Sequence, residues 1–234
     1  MNILSIDIGG TGLKAAIVDA QGNLLTQRVR VGTPHPSPPD VIVDALVNLV
    51  AQLSDYEGVS VGFPGVVRQG RVITAPKLGN EVWKDFDLAG ALASRLGKPA
   101  HVLNDADMQG LAAISGKGVE MVITLGTGFG SALFMDGQLG PHLELSQHIF
   151  RKGETYNEQL GNETLHRIGK RKWNRRVRRA IDALRVLTNF DMLYIGGGNA
   201  EKIEFELPVD AKIISNEDGL KGGAWLWHGR SAND

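Results

Sequence analysis

The chain carries the stretch Asp7-Ile8-Gly9-Gly10-Thr11-Gly12-Leu13-Lys14, which overlaps the apolar run 3–8. A short β-branched run predicts a buried strand, and the glycines after it predict a tight turn into a second strand. A carboxylate at such a strand end can hold a hydrated magnesium ion while backbone N–H groups face phosphate. The alternative is a glycine-rich hairpin with a solvated aspartate, and this stretch alone leaves both open.

Two further glycine turns follow apolar runs in the second half of the chain. Gly126-Thr127-Gly128-Phe129-Gly130 follows the run 121–125, and Gly196-Gly197-Gly198 follows the run 192–195. The first of these turns fits neither the P-loop pattern nor dinucleotide glycine spacing, but its threonine hydroxyl and small-residue N–H groups suit a phosphate tail. Glycine hairpins in both halves indicate a weak internal duplication and two lobes that bind one phosphate chain.

Asn104-Asp105-Ala106-Asp107 stands where a predicted strand ends and a helix begins. Strand ends of this kind face the ligand site in α/β proteins. An aspartate there can accept a hydroxyl proton during phosphoryl transfer, or it can merely cap the helix. We assign the chemistry to Asp105 and the capping role to Asp107.

Composition narrows the classes of function. The formal net charge is −1, which argues against general nucleic-acid binding, and the chain has no cysteine, which excludes thiolate zinc sites and cysteine nucleophiles. The sequence predicts neither a signal peptide nor an apolar run long enough to span a bilayer. We therefore expect a cytoplasmic protein without a membrane partner.

Four motifs follow one another along the chain: Asp7–Lys14, Phe63-Pro64-Gly65-Val66-Val67, 104–107 and 125–131. In this order they resemble the motifs of the ROK-family sugar kinases, and of their polyphosphate glucokinase branch in particular. The similarity covers nearly the whole chain.

The resemblance implies an α/β, actin/hexokinase-like (ribonuclease H-like) two-lobe fold with mixed sheets. We expect a smaller lobe over 1–104, a larger lobe over 105–219, and a helix over 220–234 that packs back on the first lobe. The implied activity is transfer of a phosphoryl group from polyphosphate, or alternatively ATP, to a hexose hydroxyl, with glucose O6 the first choice. Mg²⁺ is the implied cofactor, zinc is not expected, and a homodimer is.

The resemblance also assigns roles to individual residues. Asp105 is the expected catalytic base, and Gly65 and Asn104 are expected to contact the sugar. The residues expected to bind phosphate or nucleotide are Asp7 (also the magnesium ligand), Gly9, Gly10, Thr11, Lys14, Gly126, Thr127, Gly128, Gly196, Gly197 and Gly198.

Three departures from the family pattern bear on the substrate. The cysteine-rich zinc motif of most ROK kinases is missing, as it is in polyphosphate glucokinases. The family's Glu-x-Gly-His sugar motif is replaced by Glu144-Leu145-Ser146-Gln147-His148, so either Gln147 or His148 can stand for the histidine. Lys77 occupies a position where related kinases often place a sugar-contacting asparagine. We therefore expect Glu144, Gln147 and His148 to bind a sugar whose identity stays open.

A basic strip and two alternative functions complete the analysis. Lys170–Arg179 holds seven basic residues in ten, which would attract polyphosphate or simply form a solvated helix face. Gly58-Val59-Ser60-Val61-Gly62 spells a hydrolase nucleophile elbow, but no helix follows, so Ser60 is predicted to lie within a strand. A DNA-binding ROK regulator is not expected because the first strand begins at Ile3, whereas a catalytically silent sugar-binding protein stays an alternative.

Overall fold

The computed structural model describes residues 1–215 and 218–227. Its first half contains seven strands and four helices, in chain order β1 (Ile3–Ile8), β2 (Gly12–Val18), β3 (Val29–Gly32), α1 (Pro39–Val50), β4 (Gly58–Phe63), β5 (Val67–Arg68), β6 (Arg71–Val72), α2 (Asn80–Trp83), α3 (Leu88–Leu96), β7 (Ala100–Asn104) and α4 (Asp105–Ala113).

The second half continues with β8 (Val119–Leu125), β9 (Phe129–Met135), β10 (Gln138–Leu139), a 3-10 helix (Leu145–Gln147), β11 (Ile149–Arg151), β12 (Glu154–Thr155), α5 (Tyr156–Leu160), α6 (Asn162–Ile168), α7 (Lys170–Thr188), β13 (Met192–Gly196), a 3-10 helix (Ala200–Lys202) and β14 (Ala211–Ile213). Beyond it lie α8 (Asp218–Lys221) and a 3-10 helix over Gly222–Trp227.

Two five-stranded sheets share one topology. The first has the order β3-β2-β1-β4-β7 and the second the order β10-β9-β8-β13-β14. β1 pairs antiparallel with β2 and parallel with β4, and β8 pairs in the same way with β9 and β13. The predicted internal duplication is therefore present as a repeated mixed sheet.

The chain divides into two compact units. One contains Met1–Ala112 and the described residues 218–227, and the other runs from Ala113 to residue 215. The first unit thus takes in α4, whereas the predicted boundary lay after residue 104. Gly62 on β4 explains this assignment, because its missing side chain lets the start of α4 pack directly on the strand. The last seven residues of the predicted helix over 220–234 lie outside the described residues, and 222–227 form a 3-10 helix.

The first unit is built around β1, β2 and β4, whose apolar side chains are fully buried. α1 and α3 cover this sheet with an apolar face each. α3 begins at Asp87, which accepts a hydrogen bond from Gly90 N at 2.8 Å, and ends at Gly97 with φ 69°, as the glycine predicts. The core of the first unit contains Leu4, Ile6, Ile8, Leu13, Ile42, Leu46, Val59, Val61, Phe63, Trp83, Leu88 and Leu92.

The segment after α8 packs on the β1–β4 side of this unit. Ser60 Oγ donates to Gly223 O at 2.7 Å and accepts from Trp227 Nε1 at 2.8 Å. Ser5 Oγ donates to Leu220 O at 2.6 Å. Ser60 is therefore a fully buried strand residue that holds this segment, which confirms the prediction from the sequence and leaves no exposed nucleophile there.

The second unit has its own core between its sheet and α7. Trp173, Val177, Ile181 and Leu184 form the buried face of α7, as its spacing predicts. They pack with Met121, Ile123, Leu125, Leu160, Leu193 and Ile195.

The third strand has only four residues. Only an isolated bridge joins Leu24 to Val18, and β3 begins at Val29. Thr26 Oγ1 accepts the N–H of Ile17 at 3.0 Å, so a side chain takes the place of a backbone acceptor and interrupts the ladder. Within the two described ranges, none of the helices combines the length and apolarity that a bilayer crossing requires.

Candidate active site

The glycine turn between β1 and β2 carries an ion pair at its base. Asp7 and Lys14 face each other across the antiparallel ladder, and Lys14 Nζ lies 2.9 Å from Asp7 Oδ2. Gly9 N donates to Gly12 O at 3.0 Å, and Thr33 Oγ1 donates to Gly9 O at 2.5 Å. The turn is thus held from within and from the side, and Thr11 at its tip is exposed.

Asp105 lies beside this turn because three parallel strands end together. β1, β4 and β7 are neighbours, with Asp7 in register with Gly62 and Asn104 in register with Phe63. A Cβ atom on Gly62 would lie 3.3 Å from the Asp105 Cα atom, so α4 starts in close contact with β4. The carboxyl ends of parallel strands are the usual ligand edge of an α/β sheet. The structure therefore brings the two predicted carboxylates to this edge.

The protonation of Asp105 is strongly shifted. Burial is the largest cause and the negative charge of Asp7 the second, and together they raise the pKa of Asp105 to about 7. The charge of Lys77 and the N–H of Ala106 oppose this rise in pKa. A carboxylate whose pKa lies near neutrality can accept a proton and release it again at physiological pH.

Asn104, and not Asp107, caps α4. Asn104 Oδ1 accepts the N–H groups of Ala106 at 2.9 Å and Asp107 at 3.3 Å, while Asp107 is buried in the first helical turn. The Asn104 amide also donates to Gly65 O at 3.1 Å. The prediction that Asp107 is the cap was wrong, because the strand-end asparagine reaches the free N–H groups first.

Gly65 and Lys77 complete the surroundings of Asp105 in the first unit. A side chain on Gly65 would overlap the carbonyl of Thr74, so this position requires glycine for close backbone approach. The stem of Lys77 packs on the glycine turn, with its Cδ 3.3 Å from where a Gly10 Cβ would lie. Lys77 is exposed, and its charge acts on Asp105.

In the second unit the two other glycine turns lie side by side. β8 and β13 are parallel neighbours with Thr124 in register with Gly196, so the turns 126–128 and 196–198 leave the same edge of the sheet. Gly197 has φ 86°, and a side chain there would overlap the backbone of Leu125. Positions 126 and 198 are open, with nothing near their missing side chains, and Thr127 is exposed. The predicted phosphate turns are therefore adjacent.

Three residues that hold these turns were not predicted from the sequence. Asn199 Nδ2 donates to Gly126 O at 3.1 Å, and Asn157 Oδ1 accepts the Phe129 N–H at 3.1 Å. A Cβ on Gly161 would lie 2.8 Å from Thr127 O, so α5 and α6 meet on the turn. Asn199 directly follows a glycine turn in the sequence, which is a usable signal, whereas Asn157 and Gly161 reach the turn 126–128 from distant positions.

Glu144, Gln147 and His148 lie on a separate segment of the second unit, around the 3-10 helix. Glu144 Oε2 lies 3.7 Å from His142 Nε2, and Glu144 also hydrogen-bonds the Ser146 hydroxyl. Gln147 and His148 are both exposed. His142, which was not among the predicted site residues, is thus the histidine beside Glu144 in this structure.

The basic strip does not present one uniform face. Lys170 Nζ forms an ion pair with Glu204 at 2.8 Å, and the Arg178 guanidinium lies 4.7 Å from the Phe205 ring centroid. Arg176 instead lies among other arginines and is partly buried. Its members therefore have different surroundings.

Comparison with known proteins finds relatives that agree with one another in family and fold. A model described as the ROK family matches residues 3–141. A polyphosphate glucokinase of Mycobacterium tuberculosis (strain CDC 1551 / Oshkosh) is 30% identical over 236 residues, covering 94% of this chain and 88% of the relative. The crystal structure of an inorganic polyphosphate/ATP-glucomannokinase from Arthrobacter sp. strain KM is similar with a TM-score of 0.87 and 33% identity, covering 96% of this chain and 97% of that one.

A third similarity concerns the fold alone. A ROK family glucokinase from Streptomyces griseus, solved with glucose and AMPPNP, has a TM-score of 0.77 at 21% identity and covers 97% of this chain and 99% of that one. With the two mixed sheets described above, these similarities confirm the predicted actin/hexokinase-like α/β fold. The chain belongs to the ROK family.

Proposed function

We propose that this protein is a sugar kinase that transfers the terminal phosphoryl group of polyphosphate, or of ATP, to a hexose hydroxyl, with glucose O6 as the first acceptor to test. The observation that carries the proposal is the pair Asp7 and Asp105 beside a glycine turn at one strand edge. The names of the two relatives that cover nearly the whole chain support both the reaction and the two donors.

In the proposed reaction Asp105 accepts the proton of the acceptor hydroxyl. The hydroxyl oxygen forms a bond to the terminal phosphorus, and the bond from that phosphorus to the donor's bridging oxygen breaks. Polyphosphate thereby becomes one residue shorter, or ATP becomes ADP. A base with a pKa of about 7 is close to the value at which proton transfer is most effective near neutral pH.

Magnesium fits the residues of this site. Asp7 offers a carboxylate oxygen, the ligand type that Mg²⁺ prefers, and the charge of Asp7 already acts on Asp105. The described residues contain no group of three or more His, Asp or Glu that could hold a metal by themselves. One or two carboxylates completed by donor phosphate oxygens are a common Mg²⁺ arrangement. When bound, the ion neutralises charge on the phosphates, and Lys14 keeps Asp7 oriented through their ion pair.

The other site residues receive roles by the same proposal. Asn104 positions Asp105 by capping α4 and holds Gly65, so it acts on the sugar site through the backbone. Gly9, Gly10 and Thr11 would bind donor phosphate.

The second unit supplies the remaining contacts in this proposal. Its turns 126–128 and 196–198 would bind the phosphate chain, and Glu144, with Gln147 or His148, would bind the sugar. The adjacency of the two turns supports the first part. The sugar itself is left to experiment, because Lys77 and the 144–148 segment depart from the family pattern.

We also propose that the protein acts in the cytoplasm as a homodimer. Val186 and Leu187 near the end of α7 are 81% and 59% exposed, and apolar side chains at this exposure are candidates for burial by a second copy. Light scattering after size-exclusion chromatography gives the mass directly, and a monomer at all concentrations would contradict this part.

The test is a phosphorylation assay with purified protein, Mg²⁺ and glucose, run in parallel with polyphosphate and with ATP. We expect glucose 6-phosphate, identified by its phosphorus NMR signal, with at least one donor. Asp105→Asn should reduce turnover by at least about 100-fold while the far-UV circular dichroism stays unchanged.

Each negative result has a defined meaning. Turnover with ATP alone would remove polyphosphate from the proposal. Turnover with a different hexose or an amino sugar would replace glucose. Sugar binding by calorimetry without turnover from any donor would contradict the kinase and favour a silent sugar-binding protein.

A further inference from the structure

We propose that the second unit carries a subsite for the inner residues of a polyphosphate donor, formed by Arg151, Arg167 and Arg176. This inference rests on the proposed function and adds the part of the donor that lies behind the transferred group. Arg151 lies on β11, Arg167 on α6 and Arg176 on α7, so only Arg176 belongs to the basic strip Lys170–Arg179.

The three arginines converge because α5 packs against β11, β12, α6 and α7. Arg176 on α7 is partly buried, and its Nη1 donates to Gln159 O at 3.4 Å. Arg167 is exposed on α6, where its Nη2 donates to Thr164 Oγ1 at 2.9 Å. Arg151 ends β11 and is partly buried. Guanidinium groups held in this way are suited to phosphate oxygens, which they can bind through two parallel hydrogen bonds.

The electrostatics of the cluster indicate an anionic ligand. Burial and then the neighbouring charges of Arg151 and Arg167 lower the pKa of Arg176, and Glu154 opposes this effect. Glu154 also contacts the amide of Gln159, so its carboxylate is shared. Arg176 thus feels two cations and one carboxylate, and a bound polyanion would relieve the repulsion between the arginines.

The surrounding sequence amplifies this charge. Residues 149–179 contain ten Lys or Arg and three Asp or Glu, a net charge of +7, although the whole chain carries −1. The remainder of the chain is therefore acidic. This separation steers a polyanion toward the 149–179 segment before any specific contact forms.

α6 connects the cluster to the glycine turn at 126–128. The helix starts on the turn, where Asn162 N donates to Gly126 O at 3.0 Å, and Arg167 lies in its last turn. Seven helical residues span about 10 Å. A phosphate chain whose end lies at the turn would reach the arginines with residues further along the chain.

This distance distinguishes the two donors. In ATP the nucleoside follows directly behind the third phosphate, whereas polyphosphate continues as phosphate over the whole length of α6. The cluster should therefore affect long-chain polyphosphate and leave ATP unaffected. RNA offers phosphates at wider spacing and is the competing polyanion for the same charge.

The experiment compares the wild type with the double variant Arg151→Gln/Arg167→Gln. Arg167 is exposed and Arg151 is partly buried, and Arg176 is left in place because its guanidinium also bonds the backbone of Gln159. We expect the KM for long-chain polyphosphate to rise by about tenfold or more, since two charged donors to phosphate oxygens are lost. The KM for ATP and for tripolyphosphate should stay within about twofold, as should kcat.

The matched control is Arg171→Gln/Arg175→Gln, which removes the same charge from the α7 surface. Arg175 is about 100° around the helix from Arg176, so these side chains leave on a different face. An equal rise in polyphosphate KM for both double variants would overturn the subsite and leave only long-range attraction. An equal rise in KM for ATP would overturn it as well.

Direct binding separates this inference from the proposed function. Long-chain polyphosphate is titrated into the wild type without sugar, by calorimetry, with single-stranded RNA of equal phosphate content in parallel. If the wild type binds polyphosphate and the Arg151→Gln/Arg167→Gln variant does not, the subsite is supported. Absence of turnover with every donor would then contradict only the proposed function. Absence of polyphosphate binding by the wild type, or equally tight RNA binding, would overturn the subsite.

Discussion

The substitution Asp105→Asn should stabilise the protein while it abolishes turnover. Asn has the shape of Asp and can still accept the Ala106 N–H, which lies 2.8 Å from Asp105 Oδ1. It lacks the charge whose burial, together with the charge of Asp7, raises the pKa of Asp105 from 3.8 to about 7. A site arranged for proton transfer is thus expected to lower the free energy of unfolding.

The magnitude follows from linkage. At about 1.36 kcal/mol per pKa unit, a rise from 3.8 to about 7 gives a ceiling of about 4 kcal/mol. Because Asp105 is partly exposed, water screens the charge, and we expect about 2 kcal/mol. The folded wild type holds this proton more tightly than the unfolded chain does. The stability that the bound proton contributes is therefore fully present below pH 4, falls between pH 4 and pH 7, and is lost above that range.

The assay is urea unfolding followed by circular dichroism in metal-free buffer at pH 4, 5.5 and 8, with both proteins measured at each pH. The difference between variant and wild type should be small at pH 4 and reach about 2 kcal/mol at pH 8. Asp85→Asn is the control of opposite sign, because the hydrogen bond from Arg71 lowers the pKa of Asp85. A difference that does not change with pH, or an Asp105→Asn variant that is less stable than the wild type at pH 8, would refute the reasoning.

Further predictions concern Tyr194, Asn104 and the titration of Asp105. Tyr194→Phe removes the hydrogen bond to buried Glu120 and should lower the free energy of unfolding by about 1–3 kcal/mol at neutral pH. This hydrogen bond helps to lower the pKa of Glu120, so the loss should shrink as the pH falls through that lowered pKa. Chemical denaturation at neutral and acidic pH checks this, and an unchanged midpoint would contradict it. Asn104→Ala should lower the free energy of unfolding by about 2 kcal/mol and also lower kcat, whereas Asn104→Asp should keep the cap of α4. Equal thermal midpoints for the two variants would exclude the capping role. In metal-free protein, titration of Asp105 followed by carboxyl NMR should give a midpoint near 7, and a midpoint near 4 would contradict the shift.

Local signals were enough to locate the strand ends that carry the site. A buried apolar run that ends in glycine is a pattern confined to about ten residues, so Asp7 and the turns near 126 and 196 could be predicted without knowledge of the fold. The end of α3 can likewise be read from the sequence, because Gly97 stops the helix in a left-handed conformation. The bounds of elements that end in such glycines depend little on contacts with distant residues.

Contacts between distant residues account for what sequence reasoning missed. Asn104 and Asp107 are both acceptable helix caps by residue type, and only the register of β7 against β4 brings Asn104 to Gly65 and to the helix start. Arg151 joins Arg176 through the packing of α5, which no periodicity in either segment reveals. The basic strip could be seen in the sequence, but which of its members lie among cations could not.

The two units share one sheet topology but differ in the charges near the ligand edge of the sheet. In the first unit the strand edge holds Asp7 and Asp105, and burial together with the negative charge of Asp7 favours a bound proton on Asp105, as the removal of a hydroxyl proton requires. In the second unit the equivalent edge holds open glycine turns, and the neighbouring helices carry an excess of arginine. In the proposed reaction the first edge accepts the hydroxyl proton, and the basic segment 149–179 of the second unit attracts the polyanionic donor.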